Sequence, residues 1–262
     1  KKKFKIVTDT RARVILPNTL TLIGVCIGLS SINFALNGNY KLSIIAIFFA
    51  AIIDGLDGRI ARLIKGTSKV GKELDSLTDI ISFGVAPSLI MYFWTLNSLG
   101  KVGWLISLIY VVCIALRLAR FNINTGTEPN WRVNFFEGIP SPAGGILVLS
   151  PLIYDVSGLN FLPFEIQMIT PILFVIISIL LISKIPTYSL KKIVVPRSTT
   201  VFLLFGIILV FGLLLIFPFK IIFIGCLGYL LAIPISIYHF NKIKKQNLND
   251  QSMDDQEPED IL

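Results

Sequence analysis

The chain is divided into long apolar blocks that are separated by short polar segments. Its eight apolar stretches lie at about 17–37, 41–64, 71–96, 102–123, 142–159, 166–185, 199–217 and 220–240. Each is close to the roughly 20 residues that a helix needs to cross a bilayer, and about twice the length of a barrel strand. A helix also satisfies its backbone hydrogen bonds internally, as a segment in lipid must. The pattern predicts an all-α membrane protein, a polytopic bundle of about eight transmembrane helices.

The composition agrees with this pattern and leaves little of the chain outside the membrane. Hydrophobic residues make up 54% of the 262 residues and charged residues only 15%, which excludes an ordinary soluble domain. We expect a cytosolic amino-terminal segment at 1–16, a transmembrane domain at 17–240 and a disordered, acidic cytosolic tail at 241–262. The tail is polar and contains Pro258, a composition that is typical of disorder.

The basic residues predict the orientation of the bundle. If the predicted spans alternate across the bilayer, all of the 24 Lys and Arg residues except Lys41, Lys101 and Lys220 fall on the side of the two termini. The positive-inside rule then places both termini in the cytosol. The net charge of +8 is concentrated at that face and favours anionic lipids as partners. Nucleic acid is not expected as a partner, because the chain has no soluble basic module.

Charged residues interrupt the apolar pattern in the stretch "DGLDGRIARLIKGTSKVGKELDSLTD", residues 54–79. At about 100° per residue, the carboxyl end of the helix at 41–64 has one polar face, and the following helix has another. The first face carries Asp54, Asp57, Gly58, Ala61 and Arg62, and the second carries Gly71, Asp75, Thr78, Asp79 and Ser82. The two faces are predicted to meet beside one short cytosolic turn.

These charges could be ordinary loop charges at the membrane surface. However, Asp54 directly follows "IIAIFFAAII" and Asp79 directly precedes "IISFGVAP", so some of the acids reach the interface or below it. A charge costs about 2.5–3.5 kcal/mol at the centre of the bilayer and less near its edge. We therefore favour a functional cluster over surface charge.

A hard divalent cation would relieve the repulsion among the four acids. Oxygen ligands without Cys or His suit Mg²⁺, Mn²⁺ or Ca²⁺, and Mg²⁺ is commonly shared between carboxylates and substrate phosphates. Gly58 and Gly71 would leave room for a ligand, and Arg62 would supply a fixed cation for phosphate oxygens. Four carboxylates exceed the needs of one metal, which suggests either two metals or one acid kept as a base.

The spacing DxxDGxxAR(x8)GxxxDxxxD in this stretch resembles the signature of the CDP-alcohol phosphotransferase family at every fixed position. The resemblance implies an integral membrane enzyme with a six-helix core, usually a homodimer, in which an alcohol displaces CMP from a CDP-linked lipid. It implies two Mg²⁺ or Mn²⁺ ions on Asp54, Asp57 and Asp75, with Asp79 as a further ligand or as the catalytic base. Gly58, Ala61, Arg62 and Gly71 would then contact the CDP and its phosphates.

The segment "LPNTLT" at 16–21 resembles the start of the first helix in this family. That resemblance would place Asn18 and Thr21 near the nucleotide. The alternative is a plain helix start with Asn18 as the N-cap.

Three further stretches resemble the branch of the family whose acceptor alcohol is L-serine. They are "LDSLTDIISFGVAPS" at 74–88, "RLARFN" at 117–122 and "GIPSPAGG" at 138–145. The resemblance implies transfer of the phosphatidyl group from CDP-diacylglycerol to the serine hydroxyl, giving phosphatidylserine and CMP. It also implies a bacterial inner membrane, with the active site at the cytosolic face. From the residues alone, "GIPSP" is interpreted as a rigid turn, and the last two spans specify no chemistry.

Serine would need a cation for its carboxylate and an acceptor for its ammonium group. Arg117, Arg120, Asn122 and Glu137 are the candidates, although the arginines could equally be positive-inside anchors beside a solvated acid. Two other functions remain open. The same catalytic core could act on glycerol 3-phosphate or an inositol phosphate, or the acids could belong to a cation transporter, which would need them distributed through several spans.

Overall fold

The computed structural model describes residues 10–64, 66, 68–123, 135–159, 165–188 and 197–254. These residues are largely helical. The α-helices in chain order are α1 Thr10–Leu36, α2 Tyr40–Leu63, α3 Lys69–Asp79, α4 Ala86–Trp94, α5 Lys101–Ile123, α6 Ser141–Val148, α7 Ser150–Ser157, α8 Ile166–Ile182, α9 Arg197–Ile216 and α10 Pro218–Asp254. A π-helical segment, Ile80–Val85, joins α3 to α4, and a 3₁₀ turn, Leu96–Leu99, precedes α5.

Helices occupy every apolar stretch found in the sequence, and the chain is a helical membrane protein. Within the described ranges, five helical segments are long and apolar enough to cross a bilayer: Ile15–Leu36, Lys69–Trp94, Lys101–Ile123, Thr199–Ile216 and Pro218–Ile243. The predicted number of eight spans is therefore not confirmed. Charged residues interrupt the apolar run of α2, and the stretch at 142–159 is divided into α6 and α7, where Pro151 enters the second helix.

The prediction of a purely helical chain missed a short pair of strands. β1, Phe135–Glu137, pairs antiparallel with β2, Pro186–Tyr188. The hydroxyl of Thr187 donates to the carbonyl of Gly138 at 2.7 Å, and Gly138 has a left-handed φ of 72°, which favours glycine. Three-residue strands carry too little periodicity to be recognised in a sequence.

The carboxyl-terminal region also differs from the expectation. We expected a disordered tail from residue 241, but α10 continues to Asp254, while residues 255–262 lie outside the described part of the chain. No glycine or proline interrupts residues 241–254, so the helix can continue beyond its apolar part. At the other end, α1 begins at Thr10, inside the predicted segment 1–16.

The core holds the π-helical segment that follows Asp79. The fully buried Tyr110 of α5 donates a 2.9 Å hydrogen bond to the carbonyl of Phe83 in this segment. The edge of the Tyr110 ring packs against Phe174 of α8, with 5.0 Å between the ring centroids. Since the core holds this segment in place, the segment fixes the position of the carboxyl end of α3. π-helical turns often occur beside functional sites.

α1 packs closely against the same segment. A Cβ atom on Gly28 would lie 2.5 Å from the Oγ of Ser82 and 3.0 Å from its Cα. The hydroxyl of Ser43 in α2 donates to the carbonyl of Ser31 in α1 at 2.7 Å. Small residues and hydroxyl groups of this kind hold helices together in membranes, and here they fix α1 against α2 and the end of α3.

Two adjacent glycines bring α6 close to the same core. A Cβ on Gly145 would lie 3.1–3.2 Å from Phe83, and one on Gly144 would lie 2.8 Å from Leu181 of α8. The "GIPSPAGG" stretch is therefore a packing element as well as the predicted rigid turn, and it places the start of α6 beside α5.

Candidate active site

A cavity of about 880 Å³ lies between α1, α2, α3, α5 and the start of α6. Twelve of the residues singled out in the sequence line it: Asn18, Thr21, Asp54, Asp57, Gly58, Ala61, Arg62, Gly71, Asp75, Asp79, Arg117 and Asn122. We call the side formed by α2 and α3 the α2–α3 wall, and the side formed by α5 and α6 the α5–α6 wall. The predicted convergence of the two acidic helix faces is confirmed.

Three aspartates on the α2–α3 wall form a group that could hold a metal ion. Asp54, Asp57 and Asp75 each offer a carboxylate oxygen, and these oxygens all lie within 4.8 Å of one another. Asp57 is buried, and the hydroxyl of Thr21 donates to its Oδ2 at 2.6 Å. Carboxylates held this close repel one another in the absence of a cation. The oxygen-only donor set fits a hard divalent cation, as expected from the sequence.

Asp79 lies next to this group but faces α6. Its side chain interacts with Asp54 and with Ser141, and its charge is close enough to Arg117 to be attracted to it. Its Oδ1 is buried and makes no hydrogen bond to any described residue. The sequence left Asp79 with two roles, ligand or base. The structure leaves both roles open, because the Asp79 carboxylate touches Asp54 of the clustered acids on one side and Ser141 on the other.

The last turns of α2 and the start of α3 supply the cations of the α2–α3 wall. The Nε of Arg62 donates to the carbonyl of Gly58 at 2.9 Å, which holds the arginine along its helix. Lys69 and Lys72 also line the cavity. These cations lie within reach of a negatively charged group bound beside the aspartates, and arginine is well suited to phosphate oxygens.

Gly71 is needed where α3 passes α1. A Cβ at this position would lie 2.8 Å from the Oδ1 of Asn18 and 3.0 Å from the Oγ of Ser68. Ser68 is the N-cap of α3 and accepts a 2.9 Å hydrogen bond from the Gly71 amide. Asn18 is not an N-cap, because α1 begins at Thr10. It lines the cavity instead.

On the α5–α6 wall, Arg117 is the cation that enters the cavity. It is only 8% exposed, and its Nη1 donates to the Oγ of Ser141 at 2.6 Å. Its Nε is buried and makes no hydrogen bond within the described residues. Asn122 also lines the cavity and donates from Nδ2 to the Oγ of Ser76 at 2.9 Å, which joins α5 to α3.

Two of the four acceptor candidates do not belong to this site. Arg120 donates to the carbonyls of Ile182 and Ser183, at 2.7 and 3.3 Å, because the end of α8 presents unpaired carbonyls to it. Glu137 is in β1, opposite Pro186. Neither side chain lines the cavity in the described part of the chain, so the structure does not bring these two residues together with Arg117 and Asn122.

Sequence reasoning missed Ser141 and Tyr229. Ser141 lies in "GIPSPAGG", which we noticed but interpreted only as a turn. Tyr229 of α10 approaches Arg117 from outside the cavity lining, with Thr187 beside it. The Thr187 hydroxyl donates to the Gly138 carbonyl, and its oxygen can still accept from the buried Tyr229 hydroxyl beside it. An apolar span with one tyrosine gives no signal for such a contact.

Comparison with known proteins defines the class of protein. The model of the CDP-alcohol phosphatidyltransferase family matches residues 14–233, and the chain belongs to this family. The CDP-diacylglycerol–serine O-phosphatidyltransferase of Mycobacterium leprae (strain TN) is 38% identical over 232 residues, 86% of this chain and 75% of that protein. The protein of the same name from Helicobacter pylori (strain ATCC 700392 / 26695) is 38% identical over 177 residues, 68% of this chain and 73% of that protein.

A more distant relative is the archaetidylserine synthase of Methanothermobacter thermautotrophicus. It is 33% identical over 142 residues, which cover 52% of this chain and 57% of that protein. All three relatives carry serine in their names, so the similarity extends to the branch of the family that the three sequence stretches indicated.

Proposed function

We propose that this enzyme transfers the phosphatidyl group of CDP-diacylglycerol to the hydroxyl of L-serine, giving phosphatidylserine and CMP. The observation that carries the proposal is a single cavity in which an oxygen-only aspartate group faces a buried arginine, with Asp79 between them. The relatives named as serine O-phosphatidyltransferases, which match most of the chain, support this acceptor.

The reaction exchanges one ester of phosphorus for another. A bond forms between the serine oxygen and the phosphorus that carries diacylglycerol, and the bond from that phosphorus to CMP breaks. The serine hydroxyl must lose its proton as it attacks, and we assign that proton to Asp79, whose Oδ1 makes no hydrogen bond within the described chain. CMP leaves with the electron pair of the broken bond as a phosphate anion.

Asp54, Asp57 and Asp75 would hold Mg²⁺ or Mn²⁺, and a second ion with Asp79 is the expected full complement. When bound, the ions would neutralise charge on the pyrophosphate of the donor. Arg62, Lys69 and Lys72 belong to the same α2–α3 wall and would orient the phosphates. Further residues that would border the nucleotide are Asn18, Thr21, Gly58, Ala61 and Gly71.

Arg117 would bind the carboxylate of serine. A guanidinium is always charged and presents several donors to a carboxylate. Arg117 lines the cavity and is close enough to Asp79 for their charges to attract, so a serine carboxylate bound to it would keep the serine hydroxyl near the proposed base. Asn122 lines the same wall and is the second proposed contact to the acceptor.

We place the enzyme in the bacterial inner membrane with both termini in the cytosol. The acyl chains of the donor would stay in an anionic bilayer, while serine and the CMP moiety would reach the cavity from water. The homodimer expected from the family resemblance stays a prediction, and the molecular mass of the detergent-solubilised protein would test it.

A phosphorylated acceptor is the second candidate, because Lys69 and Lys72 line the cavity beside Arg62. These cations could receive the phosphate of glycerol 3-phosphate or an inositol phosphate instead of the donor pyrophosphate. A cation transporter is not favoured, since in the described ranges Asp54, Asp57, Asp75 and Asp79 all line one cavity and the family is one of transferases.

Acceptor competition tests the proposal. Purified protein receives CDP-diacylglycerol, Mg²⁺ or Mn²⁺, and labelled serine, glycerol 3-phosphate or inositol phosphate in parallel reactions. We expect CMP release and a labelled lipid with serine, and slower release with the other alcohols. Faster CMP release with glycerol 3-phosphate would show that the acceptor is wrong, whereas no release with any alcohol would reject the transferase assignment.

A further inference from the structure

Ser141 connects the two groups that would hold the opposite ends of the acceptor. Its hydroxyl oxygen accepts the 2.6 Å hydrogen bond from Nη1 of Arg117, and its side chain also interacts with the Asp79 carboxylate. A serine hydroxyl can accept from one group while donating its own hydrogen to another. In the order Arg117, Ser141, Asp79, the serine hydroxyl can therefore accept from the guanidinium and donate to the carboxylate.

This connection is buried and rigid. Ser141 is 1% exposed and Arg117 is 8% exposed, so solvent weakens their hydrogen bond little. Pro140 and Pro142 stand on either side of Ser141 and line the same cavity; their rings restrict the backbone. The close packing of Gly145 against Phe83 fixes α6. On such a rigid backbone, the Ser141 side chain can hold the Arg117 guanidinium in a fixed position.

The two groups that Ser141 joins still have capacity to bind a ligand. Nε of Arg117 and Oδ1 of Asp79 are both buried and make no hydrogen bonds in the described part of the chain. An unpaired buried donor and acceptor cost free energy, and both residues line the cavity. A ligand with a carboxylate at one end and a hydroxyl at the other would satisfy both atoms.

We propose that Ser141 is a positioning residue that fixes the Arg117 guanidinium next to Asp79 and so selects an acceptor whose carboxylate and hydroxyl lie on neighbouring carbons. The inference rests on the proposed function. A β-hydroxy α-amino acid has this arrangement, because its carboxyl group is on the α carbon and its hydroxyl on the β carbon. One bridging oxygen keeps the arginine and the aspartate close enough for such a short molecule.

Ser141→Ala is the main test, and it removes the bridging oxygen alone. Initial rates of CMP release give kcat and KM for both substrates. L-Serinamide, which has a neutral amide in place of the carboxylate, serves as an alternative acceptor. L-Alanine, which has the carboxylate but no reacting hydroxyl, serves as a competitive inhibitor. Ser141→Thr keeps a hydroxyl at this position and is the rescue variant.

Ser150→Ala is the matched control. Ser150 is also buried, begins α7 and precedes a proline, as Ser141 does in α6, but it does not line the cavity. We expect wild-type kinetics from this variant. Ser141→Cys, which keeps the side-chain volume with a much weaker acceptor, replaces Ser141→Ala if the alanine variant does not fold in detergent.

For Ser141→Ala we expect KM for serine and the inhibition constant of L-alanine to rise about tenfold, the effect of losing one hydrogen bond to a charged group. KM for CDP-diacylglycerol should stay within about twofold, and the preference for serine over serinamide should fall. Ser141→Thr should restore the KM for serine and this preference. This inference alone would be overturned by an unchanged KM for serine. It would also be overturned if kcat/KM fell equally for serine and CDP-diacylglycerol while the preference for serine over serinamide stayed the same. Absence of serine-dependent CMP release by the wild type would overturn the proposed function itself.

Discussion

The two walls of the cavity differ in how the chain builds them. The α2–α3 wall comes from one continuous stretch, residues 54–79, in which helical spacing gives each helix its acidic face. Packing on α1, where Thr21 binds Asp57 and Asn18 lies against Gly71, brings the two faces together. The α5–α6 wall joins Arg117 to Ser141 through packing of separate helices. The acidic faces of the first wall therefore follow from local spacing, with α1 as their shared support, whereas the second wall depends on contacts between helices far apart in the sequence.

The largest effect should come from removing metal ligands of the α2–α3 wall. Asp54→Asn together with Asp57→Asn should reduce CMP release to background, because charge stabilisation by bound metal is worth several kcal/mol. Mn²⁺ binding, followed by its electron paramagnetic resonance signal, should weaken in parallel. Glu73→Gln changes an acid of α3 that does not line the cavity and is the control. Metal binding of wild-type strength in the double variant would contradict the ligand assignment.

Asp79→Asn should have the next largest effect, because Asp79 lies where the two walls meet. Loss of a general base lowers kcat by about 10²- to 10⁴-fold, while the KM values should change little. Asp155→Asn, an exposed acid on α7, is the control in the same kinetic assay. If Asp79→Asn keeps full turnover while folded, another group must take the serine proton.

Arg117→Lys should affect the α5–α6 wall alone. Lysine keeps the charge but not the fork of donors, so the bond to Ser141 and the contact to a carboxylate cannot both persist. We expect kcat/KM for serine to fall by about 10- to 100-fold, which corresponds to the 1.5–3 kcal/mol of a hydrogen bond to a charged group. KM for CDP-diacylglycerol should not change. An equal effect on both substrates would show that the two walls are not independent.

Gly28→Ala should lower the stability of the helical bundle and so disturb both walls. The new Cβ would meet the backbone and side chain of Ser82, just after Asp79, and overpacking of this kind costs about 1–3 kcal/mol. Gly55→Ala on α2 has open space around it and is the control. Thermal unfolding in detergent measures the difference. Equal stability of the two variants would mean that α1 can move away without penalty.

The smallest effect should come from Tyr229→Phe, which lies behind the α5–α6 wall. Its hydroxyl lies beside Thr187, and the loss of one neutral hydrogen bond should lower stability by about 0.5–1.5 kcal/mol. KM for serine should stay within about twofold. A large rise in serine KM would show that α10 takes part in holding Arg117.

Most of the α2–α3 wall could be predicted because helical periodicity relates sequence spacing directly to position. Arg120 and Glu137 are predicted on a different ground, their closeness to Arg117 in the sequence. They are near Arg117 in the chain, but Arg120 binds the end of α8 and Glu137 lies in a strand. Closeness in sequence does not determine which cavity a side chain enters, either within one helix, as for Arg120, or beyond its end, as for Glu137.

The sequence by itself determined the helical membrane class, the family signature and the acids that share a cavity, because each follows from local composition or from helical spacing. Only the tertiary structure decided that Asp79 lies between Asp54 and Ser141, and that Ser141 in turn contacts Arg117. Those relations arise where α5, α6 and the π-helical segment pack together. Packing of this kind depends on the shapes of side chains far apart in the sequence, which no local pattern records.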